Sequence, residues 1–261
     1  TPDALNNTLN IGLEHSYTYL HNRASGSINL AMRTTALMSD YDYQTIHLTL
    51  LNRTPLGKLK LNTRVFGQYG TGKNWASESS LFVAGANPEE MMENKYTRSL
   101  GFFDPKWAAI GATTNNFQYG GGLNLRGYAG YLCPQEKTDG TVVYSYKGQT
   151  GAAINAELEF QNLLHIKKQN WFTRTFGLAT YLFGDAGMVN YSTPTDDVLR
   201  MADLRADAGI GAGLTIKRWG VLQNVNPLTI RCDLPFFLNR IPATDKDFIQ
   251  LRFVVGVSRA F

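Results

Sequence analysis

The chain has 261 residues and a formal net charge of +4, from 25 Lys plus Arg against 21 Asp plus Glu; only 18% of its residues are charged, while Gly (25), Phe (14) and Tyr (13) are abundant. The modest basic excess is scattered, which excludes a dedicated nucleic-acid surface, and no stretch approaches the roughly 18 apolar residues of a membrane-spanning helix. Few charges, many glycines and aromatics and no long apolar run imply that hydrophobicity is distributed by alternation.

The first residues, TPDALNNTLN, carry neither an initiator Met nor a signal peptide and read as a mature or excised piece of something longer. Period-two patterning then predicts nine strands, at 9–19, 28–38, 45–53, 58–69, 154–161, 176–189, 204–217, 227–236 and 248–261. In KLKLNTRVFGQY, Leu59, Leu61 and Val65 share one face, and Lys60, Asn62, Arg64 and Gln68 share the other. In LRADAGIGAGLTIK the row Ala206, Ala208, Ile210, Ala212, Leu214 lies opposite Arg205, Asp207, Gly209, Gly211, Gly213 and Thr215.

A soluble β-sandwich also alternates. Three features favour a transmembrane barrel instead. Several strands approach the ten residues that cross a bilayer when tilted. Short turns such as NRTPLGK alternate with long polar connections such as NYSTPTDDVLRMAD and LNRIPATDKD. Aromatics (Tyr17, Tyr19, Trp171, Phe172, Trp219, Phe236, Phe261) gather near strand ends, where an interfacial girdle would sit. On this reading Leu59, Leu61, Ile210, Leu214, Phe253 and Val255 face lipid, and Lys60, Arg64, Arg205 and Arg252 face inward.

The longest connection, about 71–151, opens beside GQYGTGKN, which nearly spells a phosphate-binding loop. Asn74 stands where a metal-binding hydroxyl is needed and no amphipathic helix follows, so a glycine-rich strand end is the better reading. His15, His21, His47 and His165 include no HExxH and no i, i+4 pair, and no serine occupies GxSxG. Cys133 and Cys232 form no metal pattern; they read as unrelated thiols, with a single disulfide left open. No catalytic constellation, metal site or cofactor motif follows from these residues.

Within the connection, GGGLNLRGYAG places one arginine, Arg126, between a glycine run and Tyr128. Folded back into a barrel lumen, its guanidinium would need carboxylate partners. Parity supplies them: in INAELEFQ the acids Glu157 and Glu159 point inward, as does Asp185 in FGLATYLFGDAG. Whether these acids hold the arginine or only solvate a polar lumen, the residues alone leave open.

LRGY (125–128) resembles the [VL]-R-G-[FY] signature of the outer-membrane assembly factors and two-partner secretion translocators, the superfamily of the BamA, TamA and FhaC type. AELEF (156–160), FGDAG (183–187), LRADAGIGAGL, NPLTIRCDLPF and FIQLRFVVGVSRAF resemble the family's later strand motifs in their order. The resemblance spans roughly 58–261. It implies an all-β, antiparallel transmembrane barrel, of which residues 1–261 would be the carboxy-terminal portion of sixteen strands. It further implies a lumen latch of Arg126, Gly127, Tyr128, Glu159 and Asp185, with Arg126 pairing to Glu159 and Asp185. A terminal insertion signal would comprise Phe253, Val255, Gly256 and Phe261. Asn226 departs from the family's glycine before Pro-Leu, and Gly256 lies at an uncommon distance from the end.

The resemblance implies location in the bacterial outer membrane and insertion or translocation of proteins there, without cofactor. The implied partners are outer-membrane lipid and lipopolysaccharide, unfolded outer-membrane or secreted proteins, and accessory lipoproteins. A different expectation is a barrel that anchors or exports a fused hydrolase or metallopeptidase located upstream, and a third is a porin-like barrel. Periplasmic repeat modules upstream would favour the first, and an upstream catalytic motif the second.

Overall fold

The computed structural model describes residues 4–21, 23–93, 116–136, 139–160, 174–193, 196–217, 227–240 and 248–257, with backbone alone at 93, 192, 193 and 196–199. The first four strands are β1 (Thr8–Tyr19), β2 (Ala24–Thr35), β3 (Asp42–Leu56) and β4 (Leu59–Asn74). The long connection contributes β5 (Leu81–Phe82), the helix α1 (Pro88–Glu93), β6 (Phe117–Tyr119), β7 (Pro134–Glu136), β8 (Val142–Tyr144) and β9 (Lys147–Gly148). There follow β10 (Gly151–Glu159), β11 (Phe176–Thr193), β12 (Asp196–Met201), β13 (Arg205–Ile216), β14 (Leu228–Leu238) and β15 (Val254–Val257). The chain is all-β in character, as its alternation requires.

One large sheet runs in the order β1-β2-β3-β4-β10-β11-β13-β14-β15-β6, with β12 paired to β11. Neighbours from β1 to β15 are antiparallel. The expectation of a purely antiparallel sheet needs one correction, because β6 pairs with β15 in parallel, Val255 opposite Phe117 and Val257 opposite Tyr119. A segment of the connection, not the end of a hairpin, supplies this strand, so its direction is not tied to alternation along the wall. Among the described residues β1 and β6 are the two edges, and the sheet is open.

Each of the nine patterned segments contains a strand, with shifted ends. The second begins at Ala24 and stops at Thr35, before its apolar pattern does. Beyond it the chain turns: Ala36 N–H donates to Asn7 O at 2.8 Å, and Met38 takes a positive φ of 65°. NRTPLGK is a tight hairpin, with Gly57 at φ 64° between the paired Leu56 and Leu59. NYSTPTDDVLRMAD is not the polar loop its composition predicts. It extends β11 and folds back as β12, with Asn190 opposite Met201. GQYGTGKN is the end of β4, paired with β3 as far as Asn74, which accords with a glycine-rich strand end and not a phosphate loop.

The two faces of the sheet are covered in an inverted sense. Along β10, Ala153, Asn155, Glu157 and Glu159 are buried while Ile154 is exposed. Along β13, Arg205 and Asp207 are buried while Ile210 and Leu214 are 44% and 38% exposed. Arg64 and Asn62 on β4 and Arg231 and Asp233 on β14 repeat this, with Val65 and Ile230 outward. The parity expected of Phe253 (exposed) and Arg64 and Arg205 (buried) holds, and Leu59, Leu61, Val255, Lys60 and Arg252 are partly covered.

The material that covers the charged face is the long connection. Leu81, Val83, Leu123, Leu125, Tyr128, Cys133 and Val143 pack into one apolar cluster with Phe66, Ala153, Val189, Tyr191, Ala202 and Leu238 from the wall. Of the aromatics expected at an interface, Trp171, Phe172, Trp219 and Phe261 lie outside the described residues.

Candidate functional site: an arginine latch on the charged face

Backbone geometry brings Arg126 to the wall. Gly122 sits at φ 51°, and a Cβ there would come within 2.6 Å of the Phe82 and Gly85 carbonyl oxygens, so the turn requires glycine. Leu123 and Leu125 N–H then donate to Phe82 O and Val83 O at 3.0 and 2.9 Å, and their side chains enter the apolar cluster. Arg64 donates to Gly122 O at 2.8 Å, and Asn155 Nδ2 to Asn124 O at 3.1 Å, tying the turn to β4 and β10. A 3-10 turn, Arg126–Tyr128, follows.

The Arg126 side chain is 0% exposed. Its Nε and Nη2 donate to the two carboxylate oxygens of Asp185 at 2.8 and 3.0 Å, a bidentate fork, and Nη1 donates to Glu157 Oε1 at 2.6 Å. The guanidinium lies 4.0 Å from the centre of the Phe183 ring, a cation–π contact. Desolvation alone would lower the Arg126 pKa, but the Asp185 and Glu157 carboxylates outweigh it and hold the group charged well above its ordinary value.

The expected partner Asp185 is therefore in place, whereas Glu159 is not the second partner. That role falls to Glu157. The register explains the correction: Asn155 lies opposite Asp185, Glu157 opposite Phe183 and Glu159 opposite Tyr181. Glu157 is thus the inward acid level with the ring that the guanidinium covers. Glu159, one inward position further along β10, accepts from Asn62 Nδ2 at 3.3 Å.

A scan of family models and a search of characterised proteins each return no match to this chain.

Gly127 and Tyr128 complete the latch. A Cβ at Gly127 would stand 2.6 Å from both Asp207 Cβ and Leu238 Cδ2, so the loop approaches β13 and β14 as closely as glycine permits. Tyr128 Oη donates to Asn239 Oδ1 at 2.8 Å, and Asn239 Oδ1 also accepts from Ala206 N at 2.7 Å, which docks the ring between β13 and the end of β14. Burial pushes the Tyr128 hydroxyl up to about 12, so it stays a donor. Arg205 lies 5.4 Å from the Tyr128 ring centre and donates to Cys133 O at 3.1 Å. Cys133 itself is a free, buried thiol pushed by desolvation up to about 11, and Cys232 is free and exposed.

Of the proposed terminal signal, Phe253 is exposed, Val255 is half-buried and Gly256 is buried facing Arg231; Phe261 lies outside the described residues. Sequence reasoning missed Phe183 as the floor of the arginine site and Asn155 as the clamp on the turn. Both share the inward parity of Asp185, and that parity is the signal that could have found them. No group of His, Cys, Asp or Glu side chains among the described residues has metal-holding geometry.

Proposed function

We propose that the chain is part of the wall of a transmembrane β-barrel in the bacterial outer membrane and acts in inserting or translocating proteins there. The observation that carries this is the inverted covering of the sheet: Ile210, Leu214, Leu182 and Ile154 are left uncovered while Arg64, Glu157, Asp185, Arg205 and Asp207 are buried. A water-soluble sheet would cover its apolar face first. Lipid would cover it here, and the charged face would line a lumen plugged by the chain's own connection.

An open strand edge is not tolerated in hydrocarbon, so further strands would complete the wall beside β1. The arginine latch supports the assembly and translocation reading over a plain pore. A loop fastened by a buried ion pair to two neighbouring strands is held against the wall, as the [VL]-R-G-[FY] resemblance implies, and a plain pore has no use for such a fastening. Its partners would be lipid and lipopolysaccharide outside, and unfolded outer-membrane or secreted chains and accessory lipoproteins at its openings.

Two measurements test this. Ile210→Arg should destabilise refolding into bilayers by roughly 2–4 kcal/mol at mid-depth, and Thr215→Arg, on the opposite parity, should be mild; equal tolerance at both sites sinks the barrel. Vesicles containing the protein should take up a urea-unfolded outer-membrane client faster than empty vesicles. Equal rates would refute the insertion function while leaving the barrel standing.

A further inference from the structure

A second ionic cluster lies on the charged face, on β14, two strands beyond Asp185 along the wall. Arg231 and Asp233, inward neighbours on β14, form an ion pair through Nη1 and Oδ2, and both are almost fully buried. Tyr181 Oη donates to the other Asp233 oxygen at 2.6 Å. The cluster rests on glycines. A Cβ at Gly211 would come within 2.3 Å of the Tyr181 ring and 2.4 Å of Asp233 Oδ1. One at Gly256 would come within 2.4, 2.5 and 2.7 Å of Arg231 Nε, Cζ and Nη2. The guanidinium therefore lies flat on the backbone of β15, opposite Gly256 in register. Its Nε and Nη2 have no hydrogen-bond partner among the described residues, and its pair with Asp233 and its seat on the Gly256 backbone hold it in place.

The cluster joins the two ends of the system. Tyr181 stands 6.4 Å, ring to ring, from Phe183, which floors the Arg126 site, and Asp233 adds to the field that keeps Arg126 charged. On its other side Gly256 pairs with Gln118 of β6, the strand of the connection that covers the edge of β15. Gln118 in turn donates to Asn124 Oδ1 at 2.7 Å, two residues before Arg126. A ring of contacts thus runs from Arg126 through Phe183, Tyr181, Asp233 and Arg231 to Gly256, and returns through β6.

We propose that Arg231 is a positioning residue that couples the Arg126 latch to the last strand, so that release of the loop loosens the β15–β6 edge. The consequence for protein insertion rests on the function proposed above; the coupling does not. A flexible guanidinium could ordinarily swing away from an added methyl. Here such a swing would break the pair with Asp233, and keeping the pair would push β15 outward.

The test uses the full chain with Cys133→Ser and Cys232→Ser, refolded in micelles, carrying Phe117→Cys and Val255→Cys. These positions face each other across the β6–β15 pair, a separation that suits a disulfide. The rate of oxidation reads the closed edge. Arg126→Ala should slow it at least fivefold, and in an Arg231→Ala background the same change should add less than twofold. Gly256→Ala should slow it at least fivefold with Arg231 present and little in Arg231→Ala. Effects that multiply independently in either cycle overturn the coupling. Should Arg231→Ala lose the heat-modifiable folded band, Arg231→Lys replaces it: it keeps the charge without the flat fork and should reproduce at least half of the loss of coupling. Wild-type coupling in Arg231→Lys overturns the proposal. Intact coupling alongside client uptake no faster than that of empty vesicles supports the coupling and refutes the insertion reading.

Discussion

Truncating Arg126 to alanine removes the cation that bridges Asp185 and Glu157 in a space closed to solvent. Asp185 is 2% exposed and Glu157 2%. Breaking a buried pair by deleting one partner costs about 3–5 kcal/mol, because the orphaned charge stays buried. The wall strands keep their ladders and outward rows, so the loss falls on the seating of the connection. At 1.4 kcal/mol per tenfold, it should raise the open fraction of the loop roughly a hundredfold or more. Arg126→Lys keeps the charge but forfeits the fork to Asp185, and loses roughly 1–3 kcal/mol. Limited proteolysis of the connection between β4 and β10 and alkylation of its Cys133, which is buried where the connection packs on the wall, both report the opening. Both should accelerate in the order Ala, Lys, wild type, while the folded band on a semi-native gel persists. Cleavage and labelling at wild-type rates in Arg126→Ala would refute the claim that the ion pairs hold the loop.

Gly127→Ala should loosen the same loop by about 1–3 kcal/mol through overpacking, since its Cβ would stand 2.6 Å from Asp207 Cβ and Leu238 Cδ2; proteolysis at the wild-type rate would count against that close approach. Cys133 gives a pH dependence of known sign. Its folded-state pKa of about 11 lies above the ordinary value of 9.0, so the folded loop holds the proton more tightly and stability falls as pH rises from 9 toward 11. The loss is on the order of 2–3 kcal/mol. Urea titrations of loop opening at pH 8 and pH 11 should show it, and Cys133→Ala should reduce the difference, leaving the part contributed by Tyr128, whose hydroxyl is raised by burial from 10.0 to about 12.

Parity was legible in the residues, and register was not. The alternation of β13 or β10 tells which side chains share a face, and it placed Arg64, Glu157, Asp185 and Arg205 correctly. Choosing Glu157 over Glu159 requires knowing that Asn155 pairs with Asp185, a fact of strand alignment that neither acid's own neighbourhood encodes. The short strands of the connection were invisible for a different reason. Segments of two or three residues such as β5 and β9 have no period to detect and exist because each finds the other in space. β12 was hidden by its polar composition, since its ladder continues a strand beyond the apolar rows. The glycines of β13 looked like weak strand residues. In the fold they are seats, Gly209 beneath Phe183 and Gly211 beneath Tyr181 and Asp233, and that use appears only once the neighbouring strand is in register.

The parallel pairing of β6 with β15 also sets an order of events during biogenesis. Its partners are separated by about half of the chain, so it closes one of the longest loops among the described residues and gains three residue pairs in return. Such a contact is expected to form late, after β10, β11, β13 and β14 have paired as near neighbours in sequence. Until then the final strand presents a bare row of amide and carbonyl groups. A newly made chain therefore passes through a stage in which its last edge is adhesive, and the time spent there is governed by how fast a loop far upstream in sequence comes to rest.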